Sequence, residues 1–230
     1  MSRSLFLLVC AFYLTTCDSV TESATGQGAR SQVEGEEQPP AYGASRDRSF
    51  TFVPGQRFGP FAAGMDTAEM KRVLGPEYFR EFQMYVGEGQ RTDGLVLYYD
   101  QDARVEILPS PADLPDDIEP SVDLIVRDPG SPWHMVGTGI GVGSSLQELE
   151  RVNGRPFKIS GFDWDYGGYV YDWNGGALEN LGIRLGYEIR PQYDETILDQ
   201  LDVLGDVELS SDDGFTEWLD VRVSEVRVTL

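Results

Sequence analysis

Residues 64–75 (GMDTAEMKRVLG) align without a gap to residues 143–154 (GSSLQELERVNG), sharing both end glycines and, between them, a Glu, an Arg and a Val at equal spacing. Each copy predicts one short helix. Asp66 in the first copy, and Ser144 or Ser145 in the second, offer side-chain oxygens to the free amides of a first turn, and Glu69 or Glu148 closes a capping box from further along. The terminal glycine, Gly75 or Gly154, can take the left-handed stop. Met70, Val73 and Leu74 in one copy, and Leu146, Leu149 and Val152 in the other, lie three or four apart, so each helix carries one apolar stripe.

Behind each helix the spacing changes from helical to alternating. Phe82, Met84 and Val86 alternate ahead of Gly87-Glu88-Gly89, residues 95–99 form a continuous apolar run, and Val105 and Ile107, then Val122, Leu124 and Val126, alternate again. Further on, Ile183, Leu185, Tyr187 and Ile189 share one face, and a last strand starts at Val221. In that strand Val221 and Val223 have one parity and Val226, Val228 and Leu230 the other, so a β-bulge at Ser224-Glu225 would restore the face. The prolines and acids of residues 109–120 argue against a regular element there. The expected fold class is α+β: two tandem repeats, each a short helical segment packed on an antiparallel sheet of three to four strands, over residues 49–128 and 129–230.

Residues 161–176, GFDWDYGGYVYDWNGG, hold six aromatic rings, three aspartates and five glycines. Gly167-Gly168 reads as a two-residue hairpin loop. Setting Tyr166 opposite Tyr169 pairs Trp164 with Tyr171 and Phe162 with Trp173, and directly paired residues project from the same side, so all six rings are expected on one face. Asn174-Gly175 offers a second hairpin turn that would return Leu178 beside Tyr171. Such a plane reads as core beneath a helix; the alternative is a solvent-facing platform for sugars or a peptide. The same register sets Asp163 opposite Asp172, with Asp165 two residues along, and like charges so placed are destabilising. Arg155, Lys158 or an arginine from residues 182–190 could compensate them, as could a bound calcium. The pair could also serve as the two carboxylates of a glycosidase. The spacing is not that of an EF-hand loop, because bulky rings and a sharp hairpin occupy its ligand positions. The candidate ligand-binding set is Asp163, Trp164, Asp165, Tyr166, Tyr169, Tyr171, Asp172 and Trp173, with no catalytic residue, metal ligand or cofactor assigned.

The chain's charge narrows the partners. A net charge of −21, almost all of it in the folded part, repels phosphate backbones and anionic lipid heads, so nucleic acid is not an expected partner; solubility is the plainer account of so acidic a surface. Cys10 and Cys17 are the only cysteines and His134 the only histidine. A multi-histidine metal site is therefore impossible, and a Ser-His-Asp triad would have to use His134, which has no nucleophile motif near it. Arg3 followed by the apolar run 5–14, too short to span a bilayer comfortably, has the pattern of a signal peptide, residues 1–16. Leu14-Thr15-Thr16-Cys17 resembles the lipobox of bacterial lipoproteins, which implies cleavage before Cys17 and a diacylglycerol on its thiol; Thr16 departs from the usual Gly, Ala or Ser. An ordinary signal peptide cut nearby is the alternative. Asp18 resembles the signal that keeps some lipoproteins at the inner membrane. Residues 17–48, nearly devoid of large apolar groups, read as a disordered tether.

The run Phe61-Ala-Ala-Gly64-Met65 with its helix to Gly75, and Ile140-Gly-Val-Gly143 with its helix to Gly154, resemble the helix-plus-sheet units of the SmpA/OmlA (BamE-type) envelope lipoproteins and of the β-lactamase inhibitor protein. Residues 153–168 are similar to a signature run in a family of uncharacterised bacterial envelope proteins. The first resemblance implies binding to protein partners and brings no catalytic residues. The expected protein is thus a non-enzymatic lipoprotein of the cell envelope, held through its lipid at the periplasmic face of the inner or outer membrane or at the cell surface, where it binds a protein partner. The rival expectation is a calcium-dependent carbohydrate-binding or carbohydrate-processing protein built on Asp163, Asp165 and Asp172.

Overall fold

Reciprocal capping starts both principal helices. In α1 (Thr67–Leu74) the Glu69 amide donates to Asp66 Oδ1 at 2.7 Å and the Asp66 amide to Glu69 Oε2 at 3.2 Å. In α2 (Leu146–Asn153) Ser145, rather than Ser144, takes the cap, with the Ser145 amide donating to Glu148 Oε2 at 2.8 Å. That bond and the Ser145 hydroxyl hold the Glu148 carboxyl below its ordinary pKa. Gly64 and Gly143 precede the two caps with φ of +79° and +88°. α1 ends at Gly75 and α2 at Gly154, the latter in the left-handed region. α1 buries Met70 and Leu74 but leaves Val73 41% exposed, so its apolar stripe is narrower than the spacing implied.

The computed structural model describes residues 49–98, 102–111, 114–115 and 117–230; the expected signal peptide 1–16, the lipid-bearing Cys17 and the tether 17–48 lie outside the described residues, as does Tyr99 of the apolar run. Among the described residues the strands are, in chain order, β1 (Thr51–Val53), β2 (Arg57–Phe58), β3 (Phe61–Ala62), β4 (Phe79–Gly87), β5 (Gln90–Leu97), β6 (Val105–Pro109), β7 (Val122–Val126) and β8 (His134–Met135). They continue as β9 (Lys158–Ser160), β10 (Val170–Asp172), β11 (Gly182–Ile189), β12 (Glu208–Ser210) and β13 (Leu219–Thr229). A third short helix, α3 (Leu198–Leu201), lies between β11 and β12. The class is α+β and the pairing of these strands is antiparallel except where β8 runs parallel to β1; an isolated parallel bridge also joins Phe162 to Leu204.

The strands do not divide into one sheet per helix. A six-stranded sheet of order β11-β13-β7-β6-β5-β4 joins the strands that follow α1 to the last strands of the chain; smaller sheets of order β3-β2-β1-β8 and β10-β9-β12 stand beside it. The seam is β7 against β13, where Val226 meets Val126 and Val228 meets Leu124. Those valines can reach it because β13 carries the bulge its parity slip requires: Arg184 pairs with Glu225 and Leu185 with Val223, leaving Ser224 as the extra residue. Val221, Val223, Val226 and Val228 are consequently all buried. One face of this sheet, with Ile107, Leu124 and Val228, forms a single core with Met70, Leu74, Leu146 and Leu149 of the helices and with Phe52, Phe58 and Phe61 of the small sheet. Met84, Val96 and Ile125 are also buried, yet they lie outside that core, on the second face.

Ser110 and Ser121 face each other, the Ser110 amide donating to the Ser121 carbonyl at 2.9 Å. Asn153, buried at the end of α2, donates from Nδ2 to the Arg155 and Trp173 carbonyls at 2.9 and 3.0 Å and accepts from the Leu178 amide at 3.2 Å. Replacing it with Leu strands three backbone groups. The expected loss is about 2 kcal/mol of unfolding free energy, read by urea denaturation; an unchanged midpoint would show that water replaces the side chain.

Candidate functional site

The segment 161–176 folds differently from the hairpin its glycines suggest. β9 and β10 do pair, but Val170 sits opposite Ile159 and Asp172 opposite Lys158, so Gly167-Gly168 lies inside a loop, residues 161–169. The reason is a competing partner. The Phe162 amide donates to the Val203 carbonyl and the Gly205 amide to the Phe162 carbonyl, both at 2.8 Å, which turns the chain away from β10, and Asp163 completes the turn at φ +62°. The six rings therefore do not share one face. Phe162 and Trp173 enter the core, while Tyr166 and Tyr171 are 45% and 53% exposed and Trp164 and Tyr169 lie between these extremes. The Asn174-Gly175 turn is present, but Leu178 behind it is buried rather than beside Tyr171.

The three aspartates are likewise separated. Tyr187 Oη donates to Asp163 Oδ2 at 2.6 Å. Asp165 accepts from Tyr85 Oη at 3.1 Å and from the Glu88 amide at 2.8 Å. Asp172 accepts the Asn174 amide at 2.7 Å in a local turn. The expected Asp163–Asp172 repulsion thus does not arise, because each carboxylate has its own donor and Lys158 faces Asp172 across the strands. Among the described residues no group of three or more His, Cys, Asp or Glu side chains is placed to hold a metal ion. His134 is exposed, with Nδ1 at 2.8 Å from the Pro132 carbonyl.

What the loop does instead is cross the second face of the large sheet. At one end Arg184 of β11 donates from Nε to the Gly167 carbonyl at 2.8 Å and from Nη2 to the Trp164 and Asp165 carbonyls at 3.3 Å, and the Leu185 amide donates to the Gly168 carbonyl at 2.8 Å. At the other end Asp165 grips Tyr85 and Glu88, at the far edge of the sheet beyond β4. In a flat six-stranded sheet the two outer strands would stand roughly 24 Å apart. One residue touches groups from both edges, so the sheet must curl toward its second face. Between loop and sheet lies a hollow of about 640 Å³, lined by Phe82, Met84 and Ile125 below and by Tyr85, Tyr166 and Tyr169 around it.

The floor of this hollow is a lattice of paired charges. Glu106 and Glu225 are 5% and 2% exposed. Glu106 takes Arg104 at 2.7 Å and also Arg127; Glu225 takes Arg127 Nε at 2.8 Å, Arg227 at 3.3 Å and the Tyr169 hydroxyl at 3.4 Å. Burial pulls the Arg127 pKa down, but Glu225 and Glu106 outweigh it and raise it. Arg227 Nε is buried without a hydrogen-bond partner. Sequence reasoning missed these residues. Their signal is an Arg and an acid close together at or beside each strand (Arg104 and Glu106, Asp123 and Arg127, Glu225 and Arg227), readable only once those strands are known to be neighbours.

On the outer side of the loop, Trp164, Tyr166, Tyr169 and Tyr171 line a shallower hollow of about 550 Å³ together with Asp206 and Glu208. Trp164 and Tyr166 meet edge to face at 5.4 Å. Tyr171 Oη donates to Glu208 Oε2 at 2.6 Å, and Lys158 Nζ to Glu208 Oε1 at 2.8 Å; the latter bond, with help from Tyr171, keeps the Glu208 carboxyl below its ordinary range. Burial, then the bond to a carboxylate, pushes Tyr171 and Tyr187 up to about 12. Because the fold favours the neutral phenol, this contribution to stability is complete below pH 10 and is lost as pH rises through about 12. Tyr166 and Tyr169 are raised as well, so spectrophotometric titration should find several tyrosines ionising late with Tyr171 and Tyr187 among the last, and Tyr187→Phe should flatten the alkaline fall in stability. If all tyrosines ionise together near 10, the Tyr187–Asp163 and Tyr171–Glu208 bonds are absent in solution.

Compared with known proteins, the chain matches no family model, no curated protein and no solved structure.

Proposed function

We propose that this chain is a binding module of the bacterial cell envelope, tethered through lipid on Cys17, that holds a segment of a protein partner on the strapped face of its large sheet. The observation that carries this is the Asp165 clasp. It fixes a ring-bearing loop over a hollow whose floor is already neutralised by buried ion pairs, so a guest there meets preorganised rings without having to break a salt bridge. Arg91, Arg127, Arg184 and Arg227 line this hollow against Glu106 and Asp165, a basic patch on a strongly acidic protein that suits a neutral or acidic segment.

The architecture of two tandem helix-plus-strand units, their strands merged in one six-stranded sheet, belongs to this proposal, with its likeness to BamE-type lipoproteins and the β-lactamase inhibitor protein. It is supported by the matching caps of α1 and α2 and by the positive φ of Gly64 and Gly143 at the same offset from each cap. A photoreactive residue at Tyr166, with crosslinking in intact cells, tests the binding role. One discrete crosslinked protein, lost on Asp165→Ala, is expected; crosslinks only to bulk lipid or to no protein would remove the proposal.

The rings of the outer hollow favour a second reading, a carbohydrate stacked on Trp164, Tyr166 and Tyr171 with Glu208 and Asp206 at its hydroxyls. Exchange of Asp163 and Asp165 for Asn, with assays of glycan binding, calcium affinity and hydrolysis, separates the two. Unchanged values in all three would end the version centred on the aspartates. A Tyr171→Ala variant with undiminished glycan affinity would end the stacking version.

A further inference from the structure

The two edges of the six-stranded sheet are treated differently. On β11 the outward backbone groups are partly covered, since the Leu185 amide bonds to Gly168 and Tyr169 bridges to Arg184. β4, at the other edge, is nine residues long and carries neither Pro nor Lys, the usual guards of an exposed edge. Its pairing fixes which groups point outward. The Tyr98 amide donates to the Tyr78 carbonyl, and Arg80, Phe82 and Met84 face Val96, Gly94 and Thr92 in the same phase, so their N–H and C=O groups turn inward to β5. Those of Glu81, Gln83 and Tyr85 turn outward. Among the described residues these outward groups are lightly contacted: Arg91 Nη1 lies 3.5 Å from the Gln83 carbonyl, and Asp165 holds the Tyr85 hydroxyl and the Glu88 amide at the end of the strand.

We infer that β4 pairs antiparallel with β4 of a second copy of this chain, about a two-fold axis at Gln83. Gln83 then exchanges both backbone bonds with its counterpart, and Glu81 and Tyr85 of each copy do so with Tyr85 and Glu81 of the other. These are the three residues whose groups turn outward, so the phase fits without a slip. The side chains fit as well. On one side Phe82 meets Met84 and Arg80 meets Val86; on the other Gln83 meets Gln83, and Glu81 lies opposite Tyr85, whose ring is held toward the hollow by Asp165. No like charges are opposed, although each body carries a net charge of −21. Because the bodies repel at long range while the strand does not, association should strengthen with salt. This inference does not depend on the binding role of the strapped face.

The test is sedimentation of the detergent-solubilised full chain with three variants. A dimer that tightens between low and high salt is expected. Gln83→Pro removes an outward amide at an edge position that tolerates Pro, and should weaken self-association about tenfold while leaving the far-ultraviolet spectrum unchanged. Gln83→Cys places two thiols across the axis with Cα atoms about 5.5 Å apart, within disulfide reach, and should yield a covalent dimer that the parent chain, with Cys10 and Cys17 alone, does not. Phe82→Cys, whose own backbone turns inward and whose partner is Met84, should not crosslink to itself efficiently. A chain that stays monomeric at ~100 μM in high salt overturns the inference. So does a dimer whose affinity Gln83→Pro leaves unchanged, or one that Gln83→Cys fails to capture, or a monomer that instead binds a foreign extended peptide along β4.

Discussion

Replacing Glu225 with Ala should lower the unfolding free energy by about 2–4 kcal/mol, which makes it one of the two most damaging changes in the strapped face. Glu225 is almost fully buried and is shared by Arg127, Arg227 and the Tyr169 hydroxyl. Removing it leaves the guanidinium groups of Arg127 and Arg227, each about one-third exposed, with Glu106 and Asp123 as their remaining anions. Loss of one partner of a buried network costs more than the network itself is worth, because the stranded charge keeps its desolvation penalty. Glu225→Gln keeps the shape and one acceptor and should fall between the parent and the Ala variant. Urea denaturation at neutral pH measures the series. A loss below about 1 kcal/mol for the Ala variant would mean that water enters the floor and that the lattice is not buried in solution.

Gly168→Ala should cost about 2–4 kcal/mol and free the loop. Two separate effects add there. Gly168 has φ +77°, a conformation that charges a residue with a Cβ roughly 1 kcal/mol or more. Its missing side chain would also point into the Leu185 carbonyl, a backbone atom that cannot swing aside without breaking the sheet edge. The Leu185–Gly168 and Arg184–Gly167 bonds hold that end of the loop, so the variant should increase the solvent exposure of Trp164, seen as a red-shifted fluorescence spectrum. The neighbouring Gly167→Ala, where φ is not positive but the added carbon lies 3.0 Å from Gly161 and Trp164 atoms, should be milder. Equal effects at both positions would show that crowding, not the left-handed backbone, governs the loop.

Local chemistry was legible in the residues where the determinants lie close along the chain. Asp66 with Glu69, and Ser145 with Glu148, needed only their own helical turn, and both capping boxes are present. The parity slip in the last strand announced a bulge at Ser224, because alternation is a property of one strand. The hairpin at Gly167-Gly168 failed for the opposite reason. Its glycines permitted the turn, but Phe162 found backbone partners at Val203 and Gly205, far along the chain, and their hydrogen bonds outweighed a local turn preference. Of the candidate rings, Trp164, Tyr166, Tyr169 and Tyr171 gather around one hollow, by loop geometry and without Trp173.

By itself, then, the sequence determined the elements: two boxed helices, the phases of the strands, and the demand that their apolar faces be covered. Only tertiary structure decided the partners. That β7 lies against β13, that Arg127 stands between Glu106 and Glu225, and that Asp165 reaches the turn after β4 all depend on contacts between residues far apart in the chain. Periodicity fixes which way a side chain faces; it carries no term for which strand lies next to it, and that choice is made by the summed burial and pairing of the whole core.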